Sequence, residues 1–128
     1  MQDGNLVYKP FSRDVFLDDF DSCKAVMGTA GFTLMTEAFY LRKPYLALPM
    51  RGQFEQELNA HWLVKLNYGI NLRRIRSEAV GSFLYRVPDF KENLNDYRAT
   101  DNSAIQDTLG ELLDSDCSLA KEYHLKRM

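Results

Sequence analysis

The sequence predicts an α/β domain: a parallel β-sheet with helices packed on it, followed by an all-helical C-terminal part. Three observations carry this. Short apolar runs occur at residues 6–8, 25–27, 45–48 and 70–72, with the length and character of buried strands. Segments with a helical apolar period separate them, and the connections are a few residues long, as strand–helix–strand crossovers require. From Ser77 onward only helical patterns remain.

Taken in order, Leu6, Val7 and Tyr8 read as a strand of the buried sheet, ended by Lys9 and Pro10. Residues 11–21 place Val15, Phe16 and Phe20 among acids and read as a short helix or turn. Ala25, Val26 and Met27 make the second strand, ending at Gly28. After residues 28–31 comes a helix whose face is Leu34, Met35, Ala38 and Leu41, closed by Lys43 and Pro44. Residues 45–48 are a third strand, closed by Pro49. The spacing of Phe54, Leu58, Trp62 and Leu66 predicts a helix over residues 53–66 with those side chains as its apolar face, capped by Gly69. Ile70, Asn71 and Leu72 form a fourth, shorter strand, and helices follow over 79–85, 90–97 and 105–113. Residues 1–76 are thus expected as the α/β core and 77–128 as a helical C-terminal extension of the same domain. Sheets of this kind commonly have about five or six strands. The shortfall leads to the expectation that strands are missing before residue 1 and that the chain is the C-terminal part of something longer.

Composition narrows the function. The chain has 128 residues, 45% hydrophobic and 27% charged, the balance of a soluble globular domain. Sixteen Lys and Arg against eighteen Asp and Glu give a net charge of −2, which argues against binding nucleic acid through phosphate neutralisation. Cys23 and Cys117 stand far apart, and with only His61 and His124 beside them they do not supply the spacing of a structural zinc site. Two scattered thiols fit a reducing cytosol. The start of the chain lacks the features of a signal peptide and no apolar run reaches membrane-spanning length, so the expected location is cytoplasmic.

Three local patterns carry chemistry. A strand, a turn with Gly28 and Gly31 and an immediate helix form an arrangement that binds phosphate: the first helical turn has unpaired N–H groups and partial positive charge, and glycine admits an oxygen close to the backbone. Thr33 adds a hydroxyl. The same pattern also serves as a plain tight turn. Glu37, six residues after Gly31, is placed to accept hydrogen bonds from the vicinal hydroxyls of a ribose; the alternative is a solvated glutamate. Glu55 and Gln56 begin the next helix just past a strand end, where ligands of open α/β sheets sit, and a carboxylate beside an amide suits sugar hydroxyls; the alternative is an ordinary polar first turn. Arg73, Arg74 and Arg76 form a small basic cluster, read as a solvated loop or as a contact to an anionic lipid surface. Tyr85, Tyr97 and Tyr123 are expected at the edge of the core.

Residues 28–38 (Gly-Thr-Ala-Gly-Phe-Thr-Leu-Met-Thr-Glu-Ala), 42–49 (Arg-Lys-Pro-Tyr-Leu-Ala-Leu-Pro), 55–60 (Glu-Gln-Glu-Leu-Asn-Ala) and 68–70 (Tyr-Gly-Ile) together resemble the donor-binding half of GT-B glycosyltransferases. The branch resembled is the inverting one that holds MurG-type N-acetylglucosaminyltransferases and UDP-glycosyltransferases. With residues 7–12, similar to that family's base-binding segment, the likeness covers about half the chain. It implies the C-terminal, Rossmann-like half of a GT-B fold, here incomplete, that takes a nucleotide-sugar (a UDP-sugar by default) as substrate and requires no metal cofactor. Phe11 and Ser12 would then border the base, Ala30, Gly31 and Thr33 would hold the diphosphate, Glu37 the ribose, and Glu55 and Gln56 the donor sugar. Asn59 matches a position expected to be structural.

The match has departures. Thr29 stands where many UDP-glycosyltransferases carry His, and where retaining GT-B enzymes carry Glu, which disfavours the retaining subclass. No catalytic residue is assigned, because the family's general base lies on an N-terminal acceptor domain; the aspartates Asp18, Asp19 and Asp21 and His61 read as surface groups. The expected partners are therefore the nucleotide-sugar, the missing acceptor domain or a partner subunit, and a second copy through an open sheet edge, with at most peripheral membrane contact. The alternatives are a GT-B-fold sugar-nucleotide epimerase, disfavoured by Leu48-Pro49 and by the Glu-Gln helix start, and a non-catalytic fragment that needs a partner chain.

Overall fold

The computed structural model describes residues 1–99 and 102–114. Its elements are β1 (Gln2–Asp3), β2 (Leu6–Val7), α1 (Arg13–Ser22), β3 (Val26–Gly28), α2 (Phe32–Tyr40), β4 (Tyr45–Ala47), α3 (Phe54–Lys65), β5 (Gly69–Asn71), α4 (Ser77–Tyr85), α5 (Val87–Leu94) and α6 (Ser103–Asp114). Met1–Arg98 form one compact unit and Ala99–Met128 a second. Cys117, Tyr123 and His124 lie outside the described residues.

The expected parallel sheet is present, with strand order β3-β4-β5. Val26 pairs with Tyr45 and Gly28 with Ala47, while Tyr45 pairs with Gly69 and Ala47 with Asn71. Successive side chains of a strand point to opposite faces. Tyr45 and Ala47 accordingly enter a cluster with Met35, Ala38 and Phe39 of α2 and Ala60 and Leu63 of α3. Leu46 enters another, with Phe83 of α4 and Phe90 of α5. Helices therefore cover both faces, which is why β4 is buried at every residue. Fully burying a side chain such as Leu46, Leu63 or Phe90 contributes about 1.5–3 kcal/mol.

The sheet's closest backbone approach is at Gly69. A Cβ there would sit 1.7 Å from the carbonyl oxygen of Tyr45, so only glycine fits. Gly69 is thus a strand residue, not the helix cap expected. That role falls to Asn67, with φ 57°; Tyr68 N–H donates to Leu63 O at 3.1 Å and Asn67 N–H to Val64 O at 3.0 Å, the Schellman pattern. α2 closes in the same way on Arg42, with φ 59°, where Lys43 N–H donates to Ala38 O at 2.8 Å and Arg42 N–H to Phe39 O at 3.0 Å.

Three other expectations are corrected. Residues 6–8 do not join the parallel sheet. β2 pairs antiparallel with β1, Asp3 opposite Leu6, and this hairpin is exposed. Gly4, at φ 57°, opens its two-residue turn, the geometry of a type II′ hairpin. Secondly, the apolar face expected for α3 is the outer one: Phe54 is 79% exposed, and Leu58, Trp62 and Leu66 are also exposed. The face turned to the sheet holds Ala60 and Leu63, with Gln56 and Asn59 beside them half-buried. Ala60 has no accessible surface, and its small side chain lets α3 lie close on the sheet. Thirdly, Tyr85 is exposed rather than at the edge of the core. Tyr97, in contrast, packs edge-on against Phe39 and Tyr68.

Candidate functional site

In a parallel sheet the loops that leave the C-terminal ends of the strands share one edge. Here they are residues 29–31 after β3, 48–53 after β4 and 72–76 after β5. Every candidate residue of the glycine turn and of the α3 start therefore belongs to this edge or to the helix that springs from it.

The glycine turn is built by its neighbours. A Cβ on Gly28 would lie 2.6 Å from the hydroxyl of Tyr45, so a side chain here would displace that phenol. Tyr45 has no accessible surface, and its hydroxyl donates to the carbonyl oxygen of Thr29 at 2.7 Å. Burial disfavours the phenolate and pushes the Tyr45 pKa up to about 12. The next carbonyl, of Ala30, accepts from Asn59 Nδ2 at 3.0 Å. Two successive carbonyls of the turn are thereby held by side chains from β4 and α3. The Asn59 bond also ties the start of α2 to α3, twenty-nine residues away in sequence.

α2 starts at Phe32 with Gly31 as N-cap and no side-chain cap. Its first internal bond runs from Met35 N–H to Gly31 O at 3.2 Å, so the amides of Phe32, Thr33 and Leu34 precede the first intrahelical acceptor. They concentrate the partial positive charge of the helix end. Ala30 has no accessible surface and its carbonyl is taken by Asn59, so in this structure it shapes the turn, while Gly31 beside it is half-buried. Thr33 and Glu37, four residues apart, are exposed on one side of α2.

At the start of α3, Gly52 at φ 76° occupies the third position of a turn closed by Gln53 N–H to Met50 O at 3.3 Å, as a type II turn requires. Gln56 fixes this turn: its Oε1 accepts from Met50 N–H at 3.0 Å and its Nε2 donates to Gln53 Oε1 at 2.9 Å. One N–H of the Gln56 amide lies beyond those two bonds. Glu55, beside it, is exposed. Phe11 is fully exposed and Ser12 is the N-cap of α1. Among the described residues no hydrogen bond joins either to the glycine turn. The structure thus brings Ala30, Gly31 and Thr33 together with Glu37 along α2 and links them to the helix of Glu55 and Gln56; Phe11 and Ser12 stand on a separate segment.

Sequence reasoning missed Tyr45. The available signal was a tyrosine inside an otherwise aliphatic buried strand, since a buried phenol nearly always has a partner. It also left Arg51 unassigned. That residue lines a groove of about 570 Å³ with Pro49, Glu57, Asn71, Arg73 and Arg74. Among the described residues no three His, Cys, Asp or Glu side chains converge as a metal site, and no helix is long and apolar enough to cross a membrane.

Compared with protein-family models, residues 1–88 match the one described as Glycosyl transferase family 1. No curated protein and no solved structure matches the chain.

Proposed function

The chain belongs to glycosyl transferase family 1, of GT-B type, and we propose that it is the donor-binding part of an inverting member that uses a nucleoside diphosphate sugar, by preference a UDP-sugar. Its three-stranded parallel sheet with helices on both faces is part of a GT-B Rossmann-like fold. The observation that carries the donor reading is the glycine turn, whose Thr29 and Ala30 carbonyls are held by Tyr45 and Asn59 next to the uncapped start of α2.

In this reading the diphosphate lies on the amides at the start of α2 and on the Thr33 hydroxyl. Glu37, one turn further along that side of the helix, accepts from the ribose hydroxyls. Glu55 and the remaining N–H of Gln56 meet the sugar, and Phe11 with Ser12 borders the base. The acceptor hydroxyl attacks the anomeric carbon, the bond from that carbon to the diphosphate oxygen breaks, and the nucleoside diphosphate departs with the electron pair. Fixed amides aimed at the leaving diphosphate stabilise the charge that grows there without reorganising. A base supplied from outside these residues takes the acceptor proton. The chain alone therefore binds donor without turnover, in the cytoplasm. The free edge of β3, which has one neighbour among the described residues, is a pairing surface for further strands, a partner subunit or a second copy.

Calorimetric titration of the chain with UDP, GDP, dTDP and ADP tests this. Selective binding of UDP is expected, and a hundredfold excess over Kd should add about 2.7 kcal/mol of stability. A folded chain that binds none of the four contradicts the proposal.

A further inference from the structure

The groove at the β4 and β5 ends is distinct from the glycine turn. Parallel pairing sets Ala47 opposite Asn71, and Leu72 N–H still bonds to Ala47 O at 2.9 Å. The residues that follow the two strand ends line one groove: Pro49 and Arg51 from the β4 side, Arg73 and Arg74 from the β5 side. An adjoining hollow of about 410 Å³ shares Asn71, Arg73 and Arg74 and adds Arg76. Residues twenty-two apart in sequence are thus gathered by topology into one basic cleft.

Its charge is unbalanced. The chain as a whole carries −2, yet three guanidinium groups line this groove against the single carboxylate of Glu57. Among the described residues, the ion pair formed is Lys9 with Asp19, and none of Arg51, Arg73, Arg74 or Arg76 bonds to a carboxylate or a carbonyl. Other arginines are engaged: Arg42 and Arg98 donate to backbone carbonyls, and Arg86 lies over the Phe90 ring at 4.5 Å. Like charges gathered without partners repel one another, and an anion placed between them removes that cost. Guanidinium forks match the oxygens of phosphate in paired hydrogen bonds.

We infer that this groove is a second anion site, separate from the glycine turn, that takes a phosphate or diphosphate group. The group belongs either to a soluble phosphorylated molecule or to a lipid headgroup. Glu57 tempers the site by opposing the bound charge. None of Phe11, Ala30, Gly31, Thr33 or Glu37 lines the groove; Arg51 and Glu57 flank Glu55 and Gln56 in sequence, so competition between pyrophosphate and UDP is the readout that separates the two sites.

The test is an NMR titration of the full chain with inorganic pyrophosphate, paired with co-sedimentation on phosphatidylcholine vesicles with and without phosphatidic acid. Saturable perturbation of Arg51 and residues 71–76 is expected. It should weaken at least about tenfold in an Arg73→Gln, Arg74→Gln double variant and tighten in Glu57→Gln. These side chains are exposed, so the variants keep the fold, which the unchanged remainder of the spectrum verifies. Pyrophosphate binding without vesicle binding assigns a soluble ligand; vesicle binding that needs phosphatidic acid and the two arginines assigns a headgroup. Pyrophosphate binding in a chain that ignores UDP supports the groove and counts against the donor reading alone. The inference is overturned if neither probe depends on Arg73 and Arg74, or if UDP displaces pyrophosphate from one shared site.

Discussion

The hydroxyl of Tyr45 donates to the carbonyl oxygen of Thr29 at 2.7 Å, joining the middle strand of the sheet to the turn that leaves its neighbour. The same phenol occupies the space a Gly28 side chain would need. A buried hydrogen bond of this kind contributes about 0.5–1.5 kcal/mol. Tyr45→Phe is expected to lower stability by that amount in urea unfolding, and to weaken nucleotide binding because the turn loses one of its two tethers.

The same residue sets an alkaline limit. Its pKa rises from 10.0 in the unfolded chain to about 12 in the folded one, so the folded state holds the phenolic proton more tightly. The stability this supplies is fully present below pH 10 and is lost as pH rises toward about 12. The stability difference between the native chain and Tyr45→Phe should be constant below pH 10, shrink above it and reverse in sign as pH approaches about 12. A difference that does not vary with pH contradicts the assignment.

Gly69→Ala places a methyl group 1.7 Å from the Tyr45 carbonyl oxygen. Backbone cannot swing aside as a flexible side chain can, so β4 and β5 must separate. A loss of about 3 kcal/mol or more is expected, against little change for Gly81→Ala, where a Cβ meets nothing within 4 Å.

Adjacent residues of α3 report which face is buried. Leu63 is 1% exposed and Trp62 46%. Leu63→Ala should cost about 2–5 kcal/mol in thermal or denaturant unfolding. Trp62→Ala should cost much less, although it removes the larger side chain and the contact with Lys65 Nζ, 4.5 Å from the ring centroid.

Asn59 separates a structural amide from a ligand contact. Asn59→Ala leaves the Ala30 carbonyl without its donor and should cost about 1–3 kcal/mol. Asn59→Asp should cost more, since a carboxylate would then face a carbonyl oxygen. Equal stability of all three chains contradicts the tethered turn.

Much of this was legible because local and long-range signals agreed. Residues 45–48 are apolar on both faces and bounded by prolines, and the strand they form is covered by helices on both sides. The turn at residues 28–31 and the polar start of α3 stand where the sequence pattern set them. α3's inner face was hidden because the helix carries two apolar repeats. Phe54, Leu58 and Trp62 are the larger, but small Ala60 beside Leu63 fits closer to the sheet. The hairpin was missed although Gly4-Asn5 is a recognised two-residue turn signal, because the polar Gln2-Asp3 strand has no apolar pattern to expose it. The basic groove depends on pairing between β4 and β5, and no local spacing links Arg51 to Arg73.

The most direct test of the donor reading is the UDP affinity of Glu37→Ala against the native chain. Glu37 is exposed, so its removal leaves the fold intact. Loss of a charged acceptor from a ribose hydroxyl should cost about 1.5–3 kcal/mol, an increase in Kd of tenfold or more. Tight UDP binding that is unchanged in Glu37→Ala contradicts the placement of the nucleotide along α2.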